Sequence, residues 1–355
     1  MFIALDAMGG DYAPLCNIKG AIDFVKENKN KIGVYLVGNK DILEEEIKKN
    51  NLSIEGLSIE IVHAQEVIQM DEAPSIALRK KRNSSMHIAG KLVREGKAAA
   101  FVSAGNTGAA MSVGKFIIGA AEGIERPGIA VAFPNKKGSR TVLIDVGANV
   151  DSRPRHLLYF AVMGHTYVKE ILQTSNNPKV GILSIGEEEG KGNELVKDTY
   201  PLLKMTKLNF VGNAEGRDIF TGDFDVIVCD GFVGNVVLKT SESLGMIILE
   251  MIKEEVEKSL ISKIGAALIL PALKRFKKKA DFAEYGGAPL LGTKGTCIIT
   301  HGRADERAIK NALKFASQFV NHDFNRKLLD NINLLIPEEL RKGKEEELVG
   351  ELNGQ

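Results

Sequence analysis

The chain has 355 residues, of which 44% are hydrophobic and 26% are charged. This apolar fraction is enough for a large buried core, which excludes an intrinsically disordered chain. The 47 basic and 46 acidic residues give a net charge of +1, so a globally basic surface for nucleic acid is excluded as well. Cys16, Cys229 and Cys297 form no CxxC motif and fit a reducing, cytosolic setting. The longest uncharged apolar run, 264–273, is about half of what a membrane-spanning helix requires, and no secretory signal is recognisable.

Ten short segments rich in apolar and β-branched residues predict β-strands, and stretches with helical spacing separate most of them. This alternation predicts a three-layer α/β/α fold with one mixed, mostly parallel sheet of about ten strands. The predicted strands are 2–5, 33–37, 58–62, 99–103, 128–133, 140–146, 179–184, 208–211, 224–229 and 296–300. The predicted helices are 14–28, 40–50, 74–95, 107–121, 152–174, 191–204 and 303–321.

One connection departs from this alternation. Only six residues, PNKKGS at 134–139, join the strands at 128–133 and 140–146. A parallel crossover needs a dozen or more residues, so these two strands are predicted to form an antiparallel hairpin. No Pro/Ser-rich linker and no shift in composition divide the chain. We therefore expect a single α/β domain over 1–330, with 336–355 as a charged helical tail.

Five predicted strand ends carry a glycine close to an asparagine. Glycine permits positive φ, and asparagine tolerates similar conformations while offering both a donor and an acceptor. One such pair is most simply a turn or a helix cap, but five favour a polar site, because ligands of open α/β sheets gather at the carboxyl ends of strands. SAGNTGAA (103–110) runs directly into a predicted helix, where backbone N–H groups could hold an anion. The five pairs are Gly38–Asn39, Gly105–Asn106, Gly147–Asn149, Gly212–Asn213 and Gly234–Asn235.

The usual signatures of cofactor sites are missing. No GxGxxG motif follows a strand, and GEEEGKGN (186–193) lacks the spacing of a P-loop, so nicotinamide or ATP has little support. The six histidines never fall at HxH or HxxxH spacing, which argues against zinc. We predict no cofactor and no metal. Asp6 and Asp11 flank a glycine pair and could bind metal, act as a base or orient the loop, although we interpret Asp11 as a helix N-cap.

Three further features permit either a functional or a structural interpretation. His301 follows the last predicted core strand and could protonate a leaving group, although a lone loop histidine is usually structural or solvated. LRKKRNSS (78–85) supplies Arg79 and Lys81, which could grip phosphate or belong to a solvated helix face. Lys191 and Asn193, in GKGN, present a similar choice.

The segment 244–279 is predicted to be a protruding amphipathic helical element. Apolar residues recur in it at steps of three and four, and Leu268 is one of them. It could lie on an anionic membrane, receive an acidic protein, or form a dimer helix with a basic rim, and these interpretations are compatible. Between 258 and 279 there is no acidic residue, and the basic residues are Lys258, Lys263, Lys274, Arg275, Lys277, Lys278 and Lys279.

An ordered set of motifs between residue 1 and about residue 320 resembles the bacterial phosphate acyltransferases of phospholipid synthesis, the PlsX family. The resemblance implies a fold like that of isocitrate dehydrogenase and phosphotransacetylase, with one mixed sheet made of two intertwined halves. It further implies a homodimer that transfers a fatty acyl group from acyl carrier protein to inorganic phosphate. The acyl phosphate would feed a membrane-bound acyltransferase. The motifs are DAMGGD (6–11), LRKKRNSS (78–85), SAGNTGA (103–109), DVGANVDSRP (145–154), SIGEEEGKGN (184–193), FVGNAEGRDI (210–219), CDGFVGNVVLK (229–239) and EYGGAPLLG (284–292).

Loop positions, rather than the resemblance, suggest roles for individual residues. The reaction needs a site that holds phosphate beside the thioester carbonyl, offsets the oxyanion and helps the thiolate to leave. We expect Gly105, Asn106 and Thr107 to cradle phosphate with Arg79 or Lys81, and Asn193 to contact substrate. Asn213, Lys191 and Asn235 would face the thioester or the oxyanion, with His301 as the acid. Lys258, Lys263, Leu268, Lys274, Arg275, Lys277 and Lys278 would contact the carrier protein or a membrane surface.

Two rival functions remain open at this point. One is a phosphotransacetylase-like enzyme that uses acyl coenzyme A, against which the basic amphipathic segment argues. The other is a non-catalytic scaffold that binds lipid or acyl phosphate, against which only the density of polar loops at strand ends argues. Metal-dependent dehydrogenation, known from the same fold, would need a nucleotide loop and clustered carboxylates that the sequence lacks.

Overall fold

The computed structural model describes residues 1–280 and 286–342, with side chains left undescribed at 75 and 273–280. Eleven strands in these ranges form one sheet in the order β3-β2-β1-β4-β11-β10-β5-β6-β9-β7-β8. The strands are β1 (Phe2–Asp6), β2 (Gly33–Gly38), β3 (Ile59–His63), β4 (Ala100–Ser103), β5 (Gly128–Pro134), β6 (Arg140–Ile144), β7 (Lys179–Leu183), β8 (Asn209–Ala214), β9 (Val226–Val228), β10 (Ala288–Leu291) and β11 (Thr296–Ile299).

Helices cover both faces of this sheet, as the sequence predicts. They are α1 (Leu15–Glu27), α2 (Lys40–Lys49), α3 (Pro74–Lys80), α4 (Ser85–Arg94), α5 (Thr107–Ser112), α6 (Pro154–Tyr167), α7 (Glu194–Lys204), α8 (Gly231–Glu257), α9 (Leu260–Ala280), α10 (Glu306–Asn321), α11 (Phe324–Leu335) and α12 (Glu338–Lys342). Val113–Gly119 continues α5, and Val168–Leu172 continues α6, as π-helical segments, while Gly216–Phe220 is a 3₁₀-helix.

The core consists of two apolar layers, one on each face of the sheet. Ile3 and Leu5 of β1 lie in the layer that also contains Phe160 of α6 and Leu313 of α10. Ala4, between them, lies in the opposite layer, which contains Met86 of α4. Successive residues of a strand point to opposite faces, so a strand covered on both sides must be apolar at nearly every position. This is the physical reason for the continuous apolar runs in the sequence.

The predicted hairpin is confirmed, because β5 pairs with β6 in antiparallel register from Ala130↔Ile144 to Pro134↔Arg140. The strand β10 was not predicted. It has only four residues, one of them Pro289, and proline is unusual inside a sheet. β10 is antiparallel to both of its neighbours, β11 and β5.

These antiparallel pairings divide the sheet into strands of two directions. β1, β4 and β11 are parallel to one another, whereas β6, β7, β8 and β9 run the opposite way. Their carboxyl ends therefore lie at opposite edges of the sheet, which we call the β1/β4/β11 edge and the β6/β9 edge. Four strand spacings of about 4.8 Å, roughly 19 Å, also separate β4 from β6 laterally.

Two predicted helices differ in detail from the structure. The helix predicted at 74–95 is broken into α3 and α4, because the side chain of Ser84 caps α4 by accepting a hydrogen bond from the N–H of His87 at 3.3 Å. The basic run of 78–85 therefore spans a helix end and a loop rather than a single helix face. At the other end of the chain, Ile336 and Leu340 are buried, and residues 343–355 of the predicted tail lie outside the described residues.

The predicted amphipathic segment is two helices, α8 and α9, which contact each other. α8 begins at the carboxyl end of β9 and extends away from the core, and by length and composition alone it could cross a membrane. The side chains of Lys274, Arg275, Lys277 and Lys278 lie outside the described residues. The exposed large apolar side chains of α8 are Phe232, Val236, Leu244, Met246, Ile247, Ile248, Leu249, Met251 and Ile252, and those of α9 are Leu260, Ile261, Ile264, Leu268, Ile269 and Leu270.

Candidate active site

A buried carboxylate lies at the centre of the β1/β4/β11 edge. Asp6, the last residue of β1, accepts hydrogen bonds from the hydroxyls of Ser85 at 2.6 Å and Ser103 at 2.8 Å. The N–H of Met8 also donates to it, at 3.3 Å. Burial raises the pKa of Asp6 above its ordinary value, although these hydrogen bonds act in the opposite direction. The carboxylate thereby joins β1, the start of α4 and the end of β4.

Asn106 joins the next loop to the same edge. Its side-chain oxygen caps α5 by accepting from the N–H of Ala109 at 3.0 Å. Its amide nitrogen donates to the carbonyl oxygens of Gln69, Met70 and Glu72 at 3.3, 3.0 and 2.9 Å. The side chain of Asn106 is therefore engaged on both sides. It holds residues 69–72, which we call the strap, against the start of α5.

The residues that follow the strap carry the predicted cations of this edge. The ammonium of Lys81 donates to the carbonyl of Val67 at 2.7 Å and forms an ion pair with Glu72. That ion pair lowers the pKa of the Glu72 carboxyl. Arg79 lies in the last turn of α3 and Thr107 is the first residue of α5, and both are exposed. The structure thus brings Arg79, Lys81, Asn106 and Thr107 to one edge.

His301 lies at the same edge, two residues after β11. Its Nδ1 accepts a hydrogen bond from the N–H of Arg303 at 3.1 Å, which in the neutral ring leaves the proton on Nε2. The ring is exposed, so that proton is accessible to a substrate. The hydroxyl oxygen of Thr300, by contrast, is buried and has no hydrogen-bond partner among the described residues. An unsatisfied buried polar atom of this kind is expected where a ligand or water binds.

The predicted N-cap role of Asp11 is wrong. Pro14 occupies the N-cap position of α1, and no side chain caps it. The N–H of Asp11 instead donates to the carbonyl of Gly302 at 2.7 Å. Asp11 therefore ties the loop after β1 to the His301 loop.

Of the other Gly-Asn turns, Gly38–Asn39 ends β2 at the β1/β4/β11 edge, where Asn39 caps α2, and the three at or just after the ends of β6, β8 and β9 lie at the β6/β9 edge. There Asp145 accepts from the N–H groups of Ala148 at 2.9 Å and Asn149 at 2.7 Å, and burial raises the pKa of its carboxyl. Asn235, exposed in the first turns of α8, lies about 3.6 Å from the position that a Cβ on Gly147 would occupy. This cluster forms the junction between β6 and α8.

Asn213, Lys191 and Asn193 form a second group at the β6/β9 edge. The amide of Asn213 donates to the carbonyls of Glu188 at 2.6 Å and Lys191 at 3.4 Å, while its oxygen is buried without a partner among the described residues. The ammonium of Lys191 is exposed, and Asn193 caps α7 by accepting from the N–H of Val196 at 3.0 Å. The expected convergence of Asn213, Lys191 and Asn235 on the same carbonyl as His301 is therefore absent within one chain, because the strands point in opposite directions.

The β1/β4/β11 edge combines the features that acyl transfer to an anion needs. It offers the first turn of a helical segment, nearby cations and an imidazole with an accessible proton. Within the described ranges, no group of three or more His, Cys, Asp or Glu side chains could hold a metal ion. Asp6 was open to several interpretations in the sequence and was not predicted as a site residue. Ser85 and Ser103 were not predicted either, although both lie in the motifs LRKKRNSS and SAGNTGA. The signal for Asp6 was a charged residue ending an apolar strand.

Comparison with known proteins agrees with this chemistry. Residues 1–327 match the family of fatty acid synthesis proteins. The phosphate acyltransferase of Aquifex aeolicus is 63% identical over 340 residues, which cover 95% of this chain and 98% of that protein. The phosphate acyltransferase of Pelotomaculum thermopropionicum is 49% identical over 99% of this chain and 100% of its own length.

Solved structures support the fold. A phosphotransacetylase from Streptococcus pyogenes superimposes with a TM-score of 0.60 at 15% identity, over 90% of this chain and 94% of that one. A branched-chain phosphotransacylase from Enterococcus faecalis gives a TM-score of 0.55 at 16% identity, over 90% and 99% of the two chains. These likenesses confirm the predicted α/β fold with its mixed sheet. The family match over residues 1–327 and the identities above establish that the chain belongs to the PlsX family of phosphate acyltransferases and is an enzyme of this type.

Proposed function

We propose that the protein transfers a fatty acyl group from acyl carrier protein to inorganic phosphate, and that the acyl phosphate serves glycerophospholipid synthesis. The observation that carries this proposal is the shared position of the α5 start, Arg79, Lys81 and His301 at one edge of the sheet. A phosphate oxygen would attack the thioester carbonyl carbon, the C–S bond would break, and the leaving thiolate would take a proton. No covalent enzyme intermediate and no cofactor are needed.

In this proposal the reacting groups all lie at the β1/β4/β11 edge. Phosphate lies near Gly105 and Thr107, with Arg79 or Lys81 as counter-charge and His301 as the acid. Asn106 acts through the strap, because both ends of its amide are already bonded. This proposal does not place Lys191, Asn213 or Asn235 at the reacting carbonyl, or Asn193 in contact with substrate, since all four lie at the β6/β9 edge.

We further propose that residues 1–330 act as one cytoplasmic catalytic domain in a homodimer that touches the membrane peripherally. The exposed apolar surface of α8 and α9 supports this, because soluble monomers rarely leave so many large apolar side chains uncovered. Lys263 adds positive charge beside that surface, which suits acidic carrier protein or anionic lipid, and Lys258 is exposed there in an ion pair with Glu255. The downstream membrane acyltransferase would then receive acyl phosphate at the bilayer.

The reaction is tested by incubating the enzyme with long-chain acyl carrier protein, with and without phosphate, and trapping acyl phosphate as hydroxamate. Phosphate-dependent hydroxamate is the expected result. Transfer from acyl coenzyme A at a higher kcat/KM than from acyl carrier protein would replace the proposed donor. Absence of product from both donors, with folded protein, would favour a lipid-binding scaffold.

The role of His301 is tested by His301→Ala, for which we expect loss of turnover at all pH values. His63→Ala is the matched control, since His63 is also exposed and its Nδ1 also accepts from a backbone N–H, that of Lys40 at 3.3 Å. Full turnover of His301→Ala would remove the proposed acid.

The membrane contact is tested by flotation with anionic liposomes. Lys258→Glu with Lys263→Glu should reduce binding relative to the wild-type protein, and uncharged liposomes should bind less than anionic ones. Lys48→Glu with Lys49→Glu, at the end of α2, changes the net charge equally and serves as the control. Equal flotation of all three proteins would contradict the contact.

A further inference from the structure

The hydrogen bonds around Asp6 have a defined direction. An ionised carboxylate only accepts, so the hydroxyls of Ser85 and Ser103 must both donate to it. The oxygen of Ser103 then offers only lone pairs to its other neighbour, the N–H of Gly105, which donates to it at 3.0 Å. Asp6 thus orients Ser103, and Ser103 orients the peptide at Gly105. Ser85 has no corresponding bond to Gly105.

This relay ends where phosphate is proposed to bind. Gly105 directly precedes Asn106, the N-cap of α5. The N–H groups of Thr107 and Gly108 follow in the first turn, where a helix provides no intrahelical partner for them. A small rotation of the Gly105 peptide would therefore redirect the donors that the anion needs.

Packing keeps the relay in one position. A Cβ on Gly9 would lie 2.4 Å from Oδ2 of Asp6 and 2.8 Å from the nitrogen of Gly105. The side-chain amide of Asn17, in α1, also donates to two carbonyls of this loop, those of Ala7 and Gly9, both at 2.9 Å. The loop after β1 is thus pressed between Asn17 and the start of α5 without room for another atom.

A buried carboxylate at this position is unfavourable for stability. Its pKa is raised by burial, so the ionised form is less stable in the folded chain than in water. Groups of this kind cluster at functional sites, where geometry outweighs stability. None of the proposed catalytic steps uses Asp6 directly.

We propose that Asp6 is a positioning residue, which acts through Ser103 and the peptide at Gly105 to set the backbone donors at Thr107 and Gly108 for phosphate without touching it. The inference rests on the proposed function, because it assumes that phosphate binds at this loop. Ser85 serves the same carboxylate but is not part of the relay. Comparison of variants at the two serines therefore distinguishes positioning of the phosphate loop from stabilisation of the buried Asp6 carboxylate.

The test is steady-state kinetics with phosphate as the varied substrate and saturating acyl donor, on Asp6→Asn, Ser103→Ala and Ser85→Ala. Ser103→Ala should raise the KM for phosphate about tenfold or more, whereas the KM for acyl donor changes less than about twofold. Ser85→Ala should raise the KM for phosphate several-fold less. Ser317→Ala is the remote control, since it also removes a buried serine hydroxyl, one that donates to the carbonyl of Lys314.

A second measurement is the double variant of Asp6→Asn with Ser103→Ala. If the two residues act through one relay, the rise in KM for phosphate is far smaller than the product of the single effects. Equal effects of the two serines, or an unchanged KM for phosphate in Ser103→Ala, would overturn the inference. A wild-type enzyme that makes product without phosphate would instead overturn the proposed function. If Asp6→Asn does not fold, the two serine variants still decide.

Discussion

The side-chain amide of Asn106 donates to the backbone carbonyl of Met70 at 3.0 Å, which ties the start of α5 to a strap 36 residues earlier in the chain. The same amide reaches the carbonyls of Gln69 and Glu72. Its oxygen meanwhile caps the helix. One asparagine therefore performs two separable tasks, and a single substitution can remove one of them.

Asn106→Asp should release the strap while keeping the cap, because a carboxylate accepts from Ala109 but cannot donate to Gln69, Met70 or Glu72. Two or three lost hydrogen bonds of about 1 kcal/mol each correspond to local opening that is ~100-fold more frequent. Hydrogen exchange of residues 66–74 should rise accordingly, and turnover should fall. Asn39→Asp is the control, since Asn39 caps α2 without a comparable clamp. Unchanged exchange in Asn106→Asp would contradict the clamp.

Gly9→Ala should disturb the loop after β1, because the new methyl group would overlap Asp6 and Gly105 at 2.4 and 2.8 Å. Overpacking of this kind lowers the free energy of unfolding by about 1–3 kcal/mol. Gly216→Ala should stay within about 0.5 kcal/mol, since no atom lies within 4 Å of its added methyl group. Urea unfolding measures the free energy of unfolding of both variants, and equal stabilities would refute the predicted contact.

Glu72 should compete with phosphate for Lys81. Glu72→Gln leaves the ammonium of Lys81 without its ion-pair partner, so we expect a lower KM for phosphate. Lys81→Met should raise that KM about tenfold, as expected for the loss of one charge-assisted hydrogen bond. Lys80→Met, a neighbouring exposed lysine, is the control. A KM for phosphate that is the same in Glu72→Gln, Lys81→Met and wild type would exclude Lys81 from the site.

His165 should make the protein less stable in acid. Burial lowers its pKa to about 4 from an ordinary 6.5, so the unfolded chain binds more protons between these values. Unfolding is then favoured as the pH falls through this window, by up to about 3 kcal/mol. The raised pKa values of Asp6 and Asp145 act in the opposite direction, but they are common to all variants.

The measurement is urea unfolding of wild type and His165→Leu between pH 7 and pH 4. The variant should lose less stability than wild type as the pH falls. His63→Leu replaces an exposed histidine and should follow the wild-type curve. Parallel curves for wild type and His165→Leu would contradict this prediction, because they would show that His165 binds protons equally in the folded and unfolded states.

Local patterns were sufficient for most elements of the fold. Short segments rich in apolar and β-branched residues identified ten of the eleven strands in the described ranges, and the six-residue link identified the β5–β6 hairpin. β10 was not predicted, because its four residues, which include Pro289, are too few to show the pattern of a strand. The break between α3 and α4 was not predicted either, because a serine cap inside a basic run is a weaker signal than helical spacing.

The candidate site was less predictable. The five Gly-Asn turns were recognised as a group, but their division between two edges depends on three successive antiparallel pairings, β11–β10, β10–β5 and β5–β6. Asp6 was visible as a charge at a strand end. Its partners were not, since Ser85 and Ser103 lie 79 and 97 residues away along the chain.

The sequence by itself determined the α/β class, the hairpin and the family, because periodicity, loop length and ordered motifs are local properties of the chain. Only the tertiary structure decided which polar loops share an edge, that Asn106 clamps the strap, and that Asp6 orients Ser103. These relationships join residues that are distant along the chain, and strand order and direction arise from packing the whole sheet. No local pattern encodes them.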